Sequence, residues 1–332
     1  MQHKSIDEHA PVIMKPKFLV ALTACAVSLI ANLHAEQGGT GHYTSGGTAS
    51  FIDALPDQPG FAAENLFLCY ADANAHAAKG LPFGDRIALH VNANAYADTV
   101  VLTYTLKPQV LGGHFAFAVA PSFVSMDIKA TGTIDLHGVA HSGTVKDSAH
   151  GFGDLEFWPL MLGWTNGDFK YDVRCAVYAP SGEYDASQLA NVGQGYWTFE
   201  PAVTFSWLSS KLGTEVSVFA GLDFNTENTD AHYQSGDIFH LDTTVAQHLP
   251  LLGGDIGAGA NAFYYRQING DSGSGARLGD FKAESYGIGP VLSYIHKIGR
   301  LSFVGEAKWL PQLHADNTTK GNYIWVKLGL LF

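Results

Sequence analysis

From about residue 60 onward, apolar and polar residues alternate in stretches of 10–14, cut by Gly, Asn and Asp. Successive side chains of a strand point to opposite faces, so a period of two predicts strands with one apolar and one polar face. In residues 198–207, Phe199, Pro201, Val203, Phe205 and Trp207 share one face, and Glu200, Ala202, Thr204 and Ser206 the other. The next stretch sets Val216, Val218, Ala220, Leu222 and Phe224 against Glu215, Ser217, Gly221 and Asp223. Leu301, Phe303, Ala307 and Trp309 oppose Ser302, Glu306 and Lys308, and Ile324, Val326, Leu328 and Leu330 oppose Tyr323, Trp325, Lys327 and Gly329.

Strands fall near 61–72, 90–106, 114–128, 151–164, 169–180, 197–208, 213–226, 236–249, 256–267, 284–296, 301–312 and 322–332. Strands of soluble sandwiches average about 5–6 residues, whereas a tilted strand crossing a bilayer needs about 9–11. The links after even-numbered strands are short and those after odd-numbered strands are longer and polar, such as 181–194 and 269–280. This sorting predicts an all-β fold: a closed antiparallel transmembrane β-barrel of about 12 strands, with short periplasmic turns and longer outer loops. Closure is required because an open edge in hydrocarbon leaves backbone groups unsatisfied. Tyr104, Trp164, Trp207, Tyr264, Tyr286, Tyr294, Trp309 and Trp325, near strand ends, are expected to form interfacial girdles.

Composition narrows the class further. Only 15% of residues are charged and the net charge is −12, which argues against a nucleic-acid partner. Met14-Lys15-Pro16-Lys17, the apolar run 18–31 and Leu33-His34-Ala35 form a signal-peptide layout over residues 1–35, with cleavage between Ala35 and Glu36; residues 1–13 could precede the true start. Leu22-Thr23-Ala24-Cys25 also fits a lipoprotein cleavage box, although the apolar run continues past Cys25. Cys69 and Cys175 in the mature chain do not make a disulfide framework. Residues 36–60, rich in Gly, Ser and Thr, read as a periplasmic lead or a lumen plug preceding the barrel of 61–332. Phe51, Ile52, Ala54 and Leu55, which would need burial, favour the plug. The terminal Phe332 is the kind of residue that outer-membrane barrels present to their assembly machinery.

The candidate chemistry lies on the inward face. Glu156, Asp172, Arg174, Glu200, Glu215, Asp223, Asp242, Glu306, Lys308 and Lys327 fall opposite the lipid-facing positions, joined by the aromatic Trp158 and Phe219. Charges there persist only when wetted or paired, so these residues are candidates to line the lumen, or to pin it as a ladder such as Asp172/Arg174 with Glu200. The mixed signs argue against a strongly selective ion pore. No catalytic, cofactor or metal residues are assigned. The 15 His contain no His-x-His pair on a strand, and His137 and His141 fall in an expected loop. Asp223-x-Asn225-x-Glu227 reads as a solvated outer loop rather than a calcium loop. No Gly-x-Ser-x-Gly elbow occurs, and Gly257 to Ala262, which mimics a dinucleotide fingerprint, leads into no helix.

Several motifs carry a resemblance. Gly39-Thr40-Gly41-His42-Tyr43, Phe51 to Pro56, Pro59-Gly60, Pro159 to Trp164, Tyr178 to Tyr184, Leu189-Ala190-Asn191, Asp223 to Asn228 and Gly273 to Asp280 resemble a proteobacterial outer-membrane family associated with the meta-pathway of phenol degradation, which includes SphA-like proteins. The resemblance spans nearly all of 36–332. It implies a transporter or porin of the bacterial outer membrane, often encoded beside aromatic-catabolism genes, with no catalytic or ligand residues to carry over; the function expected of such a barrel is passive uptake of small hydrophobic or aromatic compounds. Outer-membrane lipid, lipopolysaccharide, the assembly machinery and a small hydrophobic solute are the expected partners. The alternatives are a general porin for small polar solutes and a structural or adhesive barrel acting through its outer loops.

Overall fold

The computed structural model describes residues 41–76, 81–83, 86–88, 90–136, 139–276, 282–299 and 301–331. The expected signal segment, with Cys25 and the Ala35/Glu36 cleavage point, lies outside them, as do His137 and Phe332. The strands are β1 (Gly60–His76), β2 (Leu81–Phe83), β3 (Arg86–Ala88), β4 (His90–Val110), β5 (Gly113–Ala120), β6 (Ser122–Leu136), β7 (Val139–Phe152) and β8 (Leu155–Asn166). They continue with β9 (Phe169–Ala179), β10 (Thr198–Leu208), β11 (Thr214–Asn225), β12 (Ile238–Leu251), β13 (Gly254–Gln267), β14 (Glu284–Ile298), β15 (Leu301–Asp316) and β16 (Thr318–Leu331).

All but β2 and β3 join one antiparallel sheet, and β1 pairs with both β16 and β4, so the sheet closes. β5 and β6 follow one another along β4, and β8 and β7 follow one another along β5 and β6. The wall is therefore a barrel twelve strands wide, as the alternation predicts. The alternation is visible in exposure: Phe199, Val203 and Phe205 are 43%, 52% and 38% exposed, whereas Glu200 and Ala202 between them are 3% and 7%. The turns at one end are tight. Leu111-Gly112 and Leu252-Gly253 both take positive φ at two consecutive residues, as a two-residue hairpin turn requires.

Three expectations need correction. The stretches after the third and eleventh predicted strands are not long loops. β6 and β7 run in register as a tall hairpin from Phe123↔Phe152 to Leu136↔Val139. Only Asn317 separates β15 from β16, whose mutual pairing ends at Pro311↔Asn322 while β15 continues along β14 and β16 along β1. Beyond the bilayer the outward positions of a strand can be polar, so the ladder continues where the hydrophobic signal stops. His141 accordingly sits in β7 rather than a loop. Asp223 and Asn225 belong to β11 and are buried, so they are not part of a solvated loop. Trp325 is no girdle residue: it is buried and its Nε1 donates to Ser45 O at 3.0 Å inside the barrel.

Candidate functional site

Residues 41–59 cross the lumen without regular structure except a short 3-10 turn, Phe51–Asp53. Ser50 caps that turn, and Asp53 reciprocates by accepting from the Ser50 N–H at 2.8 Å. A chain without a ladder carries backbone groups that must find partners when buried. Here the wall supplies them. Asp242 accepts from Gly46 N at 3.1 Å, Thr48 N at 3.3 Å and the Thr48 hydroxyl at 2.7 Å. Glu215 accepts from Phe51 N at 2.7 Å. Lys308 Nζ donates to the carbonyls of Gly46 and Thr48, and Arg174 Nη2 to that of Asp53. Lys327 Nζ binds the Asp53 carboxylate at 2.6 Å. At the outer end, His42 bridges Thr198 and Asp154 at 2.7 and 2.9 Å. Asp154 also accepts from Gly182 N and Gln194 N, tying the loop after β9 to this segment.

The wall charges also pair with one another. Arg174 forks onto Asp172 with two bonds of 2.7 Å, and Asp172 accepts from the Thr204 hydroxyl as well. The guanidinium lies over the rings of Trp158, at 5.6 Å, and Phe219, at 5.8 Å. Glu306 sits between Lys308 at 3.2 Å and Lys327 at 3.3 Å. Glu215 pairs with His248 at 2.7 Å. Glu200 does not join Asp172 and Arg174 in a ladder; it accepts from Tyr178 OH at 2.9 Å and faces His240, across from Asp223. Glu156 accepts from Trp158 Nε1 at 2.7 Å. Of the charged positions read from the alternation, Glu215, Asp242, Lys308, Lys327 and Arg174 thus grip the lumen segment directly. Glu200 and Asp223 meet around His240.

Trp158 shares the inward parity of Glu156, and a bulge just after it shifts that parity to Met161 and Gly163. β8 skips two residues against one of β9 between Phe157 and Leu160, and it slips against β5 at the same place. Pro159, which has no ladder donor, sits in that bulge, and such extra residues re-aim a neighbouring side chain.

Beside the lumen segment lies a cavity of about 380 Å³, within the ~300–1,000 Å³ of small-molecule sites. It opens between that segment and the inward face of β1, β4 and β8. Leu55, Leu66, Leu68, Val101, Met161 and Trp158 give it apolar walls, and Glu64 and Glu156 are among its polar groups. Its volume exists because β4 and β5 present small side chains there, including Ala95, Ala97 and Ala120. Parity alone puts Trp325 and His248 on the inward face. What parity does not show is which residues of 41–59 each wall charge meets.

Comparisons with known proteins agree with this architecture. The profile of a family described as "Putative MetA-pathway of phenol degradation" matches residues 78–328. No curated protein matches the sequence. Among solved structures, an outer-membrane channel from Pseudomonas putida F1 superposes with a TM-score of 0.56 at 12% identity, over 84% of this chain and 97% of that one. The β domain of the Bordetella autotransporter BrkA gives 0.44 at 10% identity, over 83% and 100% of the two chains. A Pseudomonas aeruginosa FadL homologue gives 0.40 at 8% identity, over 89% and 96%. The first of these shares the fold: a closed barrel of the bacterial outer membrane.

Proposed function

The chain belongs to the family described as the MetA-pathway of phenol degradation, and from that premise we propose that it is an outer-membrane transporter for passive uptake of small hydrophobic or aromatic compounds. One observation carries the reading. The barrel holds an apolar cavity next to an anchored lumen segment, where an open porin would hold a continuous aqueous channel. Such a cavity favours solutes that gain by leaving water, at ~25 cal/mol for each Å² of apolar surface buried. A sugar entering it would lose hydrogen bonds that Leu66, Leu68, Val101 and Met161 cannot replace. The solute moves down its own gradient: the outer mouth admits it, the cavity desolvates it, and the lumen segment blocks bulk flow.

The test is entry into liposomes carrying the refolded barrel, with one apolar aromatic and one sugar measured side by side. Aromatic entry well above that of empty liposomes, with little sugar flux, is the expected result. Equal or sugar-dominated flux would make the protein a general porin.

A further inference from the structure

Three neighbouring strands bring Glu200 of β10, Asp223 of β11 and His240 of β12 to one point on the inward face. All three are buried, and one candidate ligand atom from each lies within 4.8 Å of the others. His240 Nε2 is 3.3 Å from Glu200 Oε1 and 3.2 Å from Asp223 Oδ1. We propose that these residues bind a first-row divalent cation of the Zn²⁺ type, independently of the solute path.

The two His240–carboxylate distances match those of a metal shell. Ligand atoms about 2.0–2.2 Å from a tetrahedral ion stand roughly 3.3–3.5 Å apart. As a plain ion pair the arrangement is poor, because both carboxylates converge on one ring nitrogen and a single N–H points well at only one of them. A second observation is independent of the three ligands. Position 221, between them on β11, is Gly; a Cβ there would overlap the His240 ring and stand 3.1 Å from Glu200 Oε1. Gly221 thus makes room for the His240 ring to lie flat against the wall beside Glu200. A third concerns Asp223, whose Oδ2 is fully buried without a hydrogen-bond partner among the described residues.

The surroundings hold the ligands in place. Tyr178 OH donates to the outer oxygen of Glu200, as supporting partners of metal ligands do. His240 lies flat between Tyr43, at 3.6 Å and 12° between planes, and Phe219, at 5.7 Å and 16°. Its Nδ1 has no partner among the described residues, so stacking fixes the ring. Imidazole nitrogen with two carboxylates suits Zn²⁺, Fe²⁺ or Ni²⁺ better than Mg²⁺ or Ca²⁺, which take oxygen shells. Tyr43 comes from the lumen segment, so a bound ion would brace the wall beneath that segment.

The test uses the full barrel in detergent, stripped with EDTA and desalted, then titrated calorimetrically with Zn²⁺ and separately with Mg²⁺. Saturable Zn²⁺ binding without comparable Mg²⁺ binding is expected. Asp223→Asn and His240→Gln should each weaken it by at least about tenfold, while His150→Gln, on an exposed strand position, should not. Retarded or accelerated migration of unboiled samples on gels shows that each variant is folded. Absence of binding by the folded wild type, or binding that Asp223→Asn and His240→Gln leave unchanged, would overturn the proposal. Should His240→Gln fail to fold, the near-isosteric Asp223→Asn decides alone.

Discussion

The two sides of the barrel interior are built from opposite materials. β9–β12, β15 and β16 point Asp172, Arg174, Glu200, Glu215, Asp223, Asp242, Lys308 and Lys327 inward, and all eight are buried. β4 and β5 point Ala93, Ala95, Ala97, Val101, Ala116, Ala118 and Ala120 inward instead. The charged side reaches across and grips residues 41–59, while the alanine side stops short and leaves the cavity. Inward charge in a membrane barrel is commonly read as the lining of an aqueous path. Here half of it, Arg174, Glu215, Asp242 and Lys308, is consumed in satisfying the backbone of a segment that has no ladder of its own, and the room for a solute lies against the strands whose inward face is alanine.

The comparison is broken most forcefully from the charged side. Lys327→Met removes the partner of Asp53 and half the cationic shell of Glu306, and stranding a buried charge costs roughly 3–5 kcal/mol. The variant should unfold at clearly lower denaturant, and where it folds it should conduct ions and admit sugar that the parent excludes. A variant with parental stability and parental sugar exclusion would show that the grip is not needed. Gly46→Ala attacks the gripped segment itself. Gly46 has φ +80° and a Cβ there would overlap Leu310; the strained conformation alone costs about 1–3 kcal/mol. Increased sugar leakage with a milder loss of stability is expected in the same assays.

The alanine side is tested by filling it. Ala97→Phe places a ring in the cavity while leaving every contact of Asp242, Lys308 and Lys327 in place. Aromatic entry should fall about tenfold, equivalent to ~1.4 kcal/mol on the barrier, with ion conductance unchanged. If entry is unaffected, the solute does not use this cavity.

How far these sides can be read from sequence differs for a physical reason. The wall strands are legible because a lipid face and a lumen face impose a strict period of two, and parity alone puts Glu215, Lys308 and Lys327 inside. The hairpin β6–β7 is not, since outside the bilayer Asp127, Lys129 and Lys146 occupy outward positions and the contrast between faces fades. Trp325, aromatic and near a strand end, reads as a girdle residue; its parity with Lys327 is the better guide. The meeting of Glu200, Asp223 and His240 depends on the register of three strands, which a search along any one strand for metal-ligand spacing does not reach. The irregular lumen segment has no period at all, so its partners emerge only in three dimensions.

The finest test sits on the boundary between the two sides, at Trp158. Its ring covers the Arg174 guanidinium, which belongs to the charged side, and its indole N–H occupies Glu156, which faces the cavity. Trp158→Phe keeps a ring but frees the carboxylate to accept from whatever enters. If solutes pass within reach of Glu156, a hydroxylated aromatic gains a partner and its unsubstituted analogue does not. A hydrogen bond worth roughly 0.5–1.5 kcal/mol corresponds to about a two- to tenfold change, so the ratio of phenol to benzene entry should rise within that range. Sugar exclusion should hold, because the contacts to residues 41–59 are untouched. An unchanged ratio with parental stability would place the solute path away from Glu156 and confine Trp158 to packing Arg174.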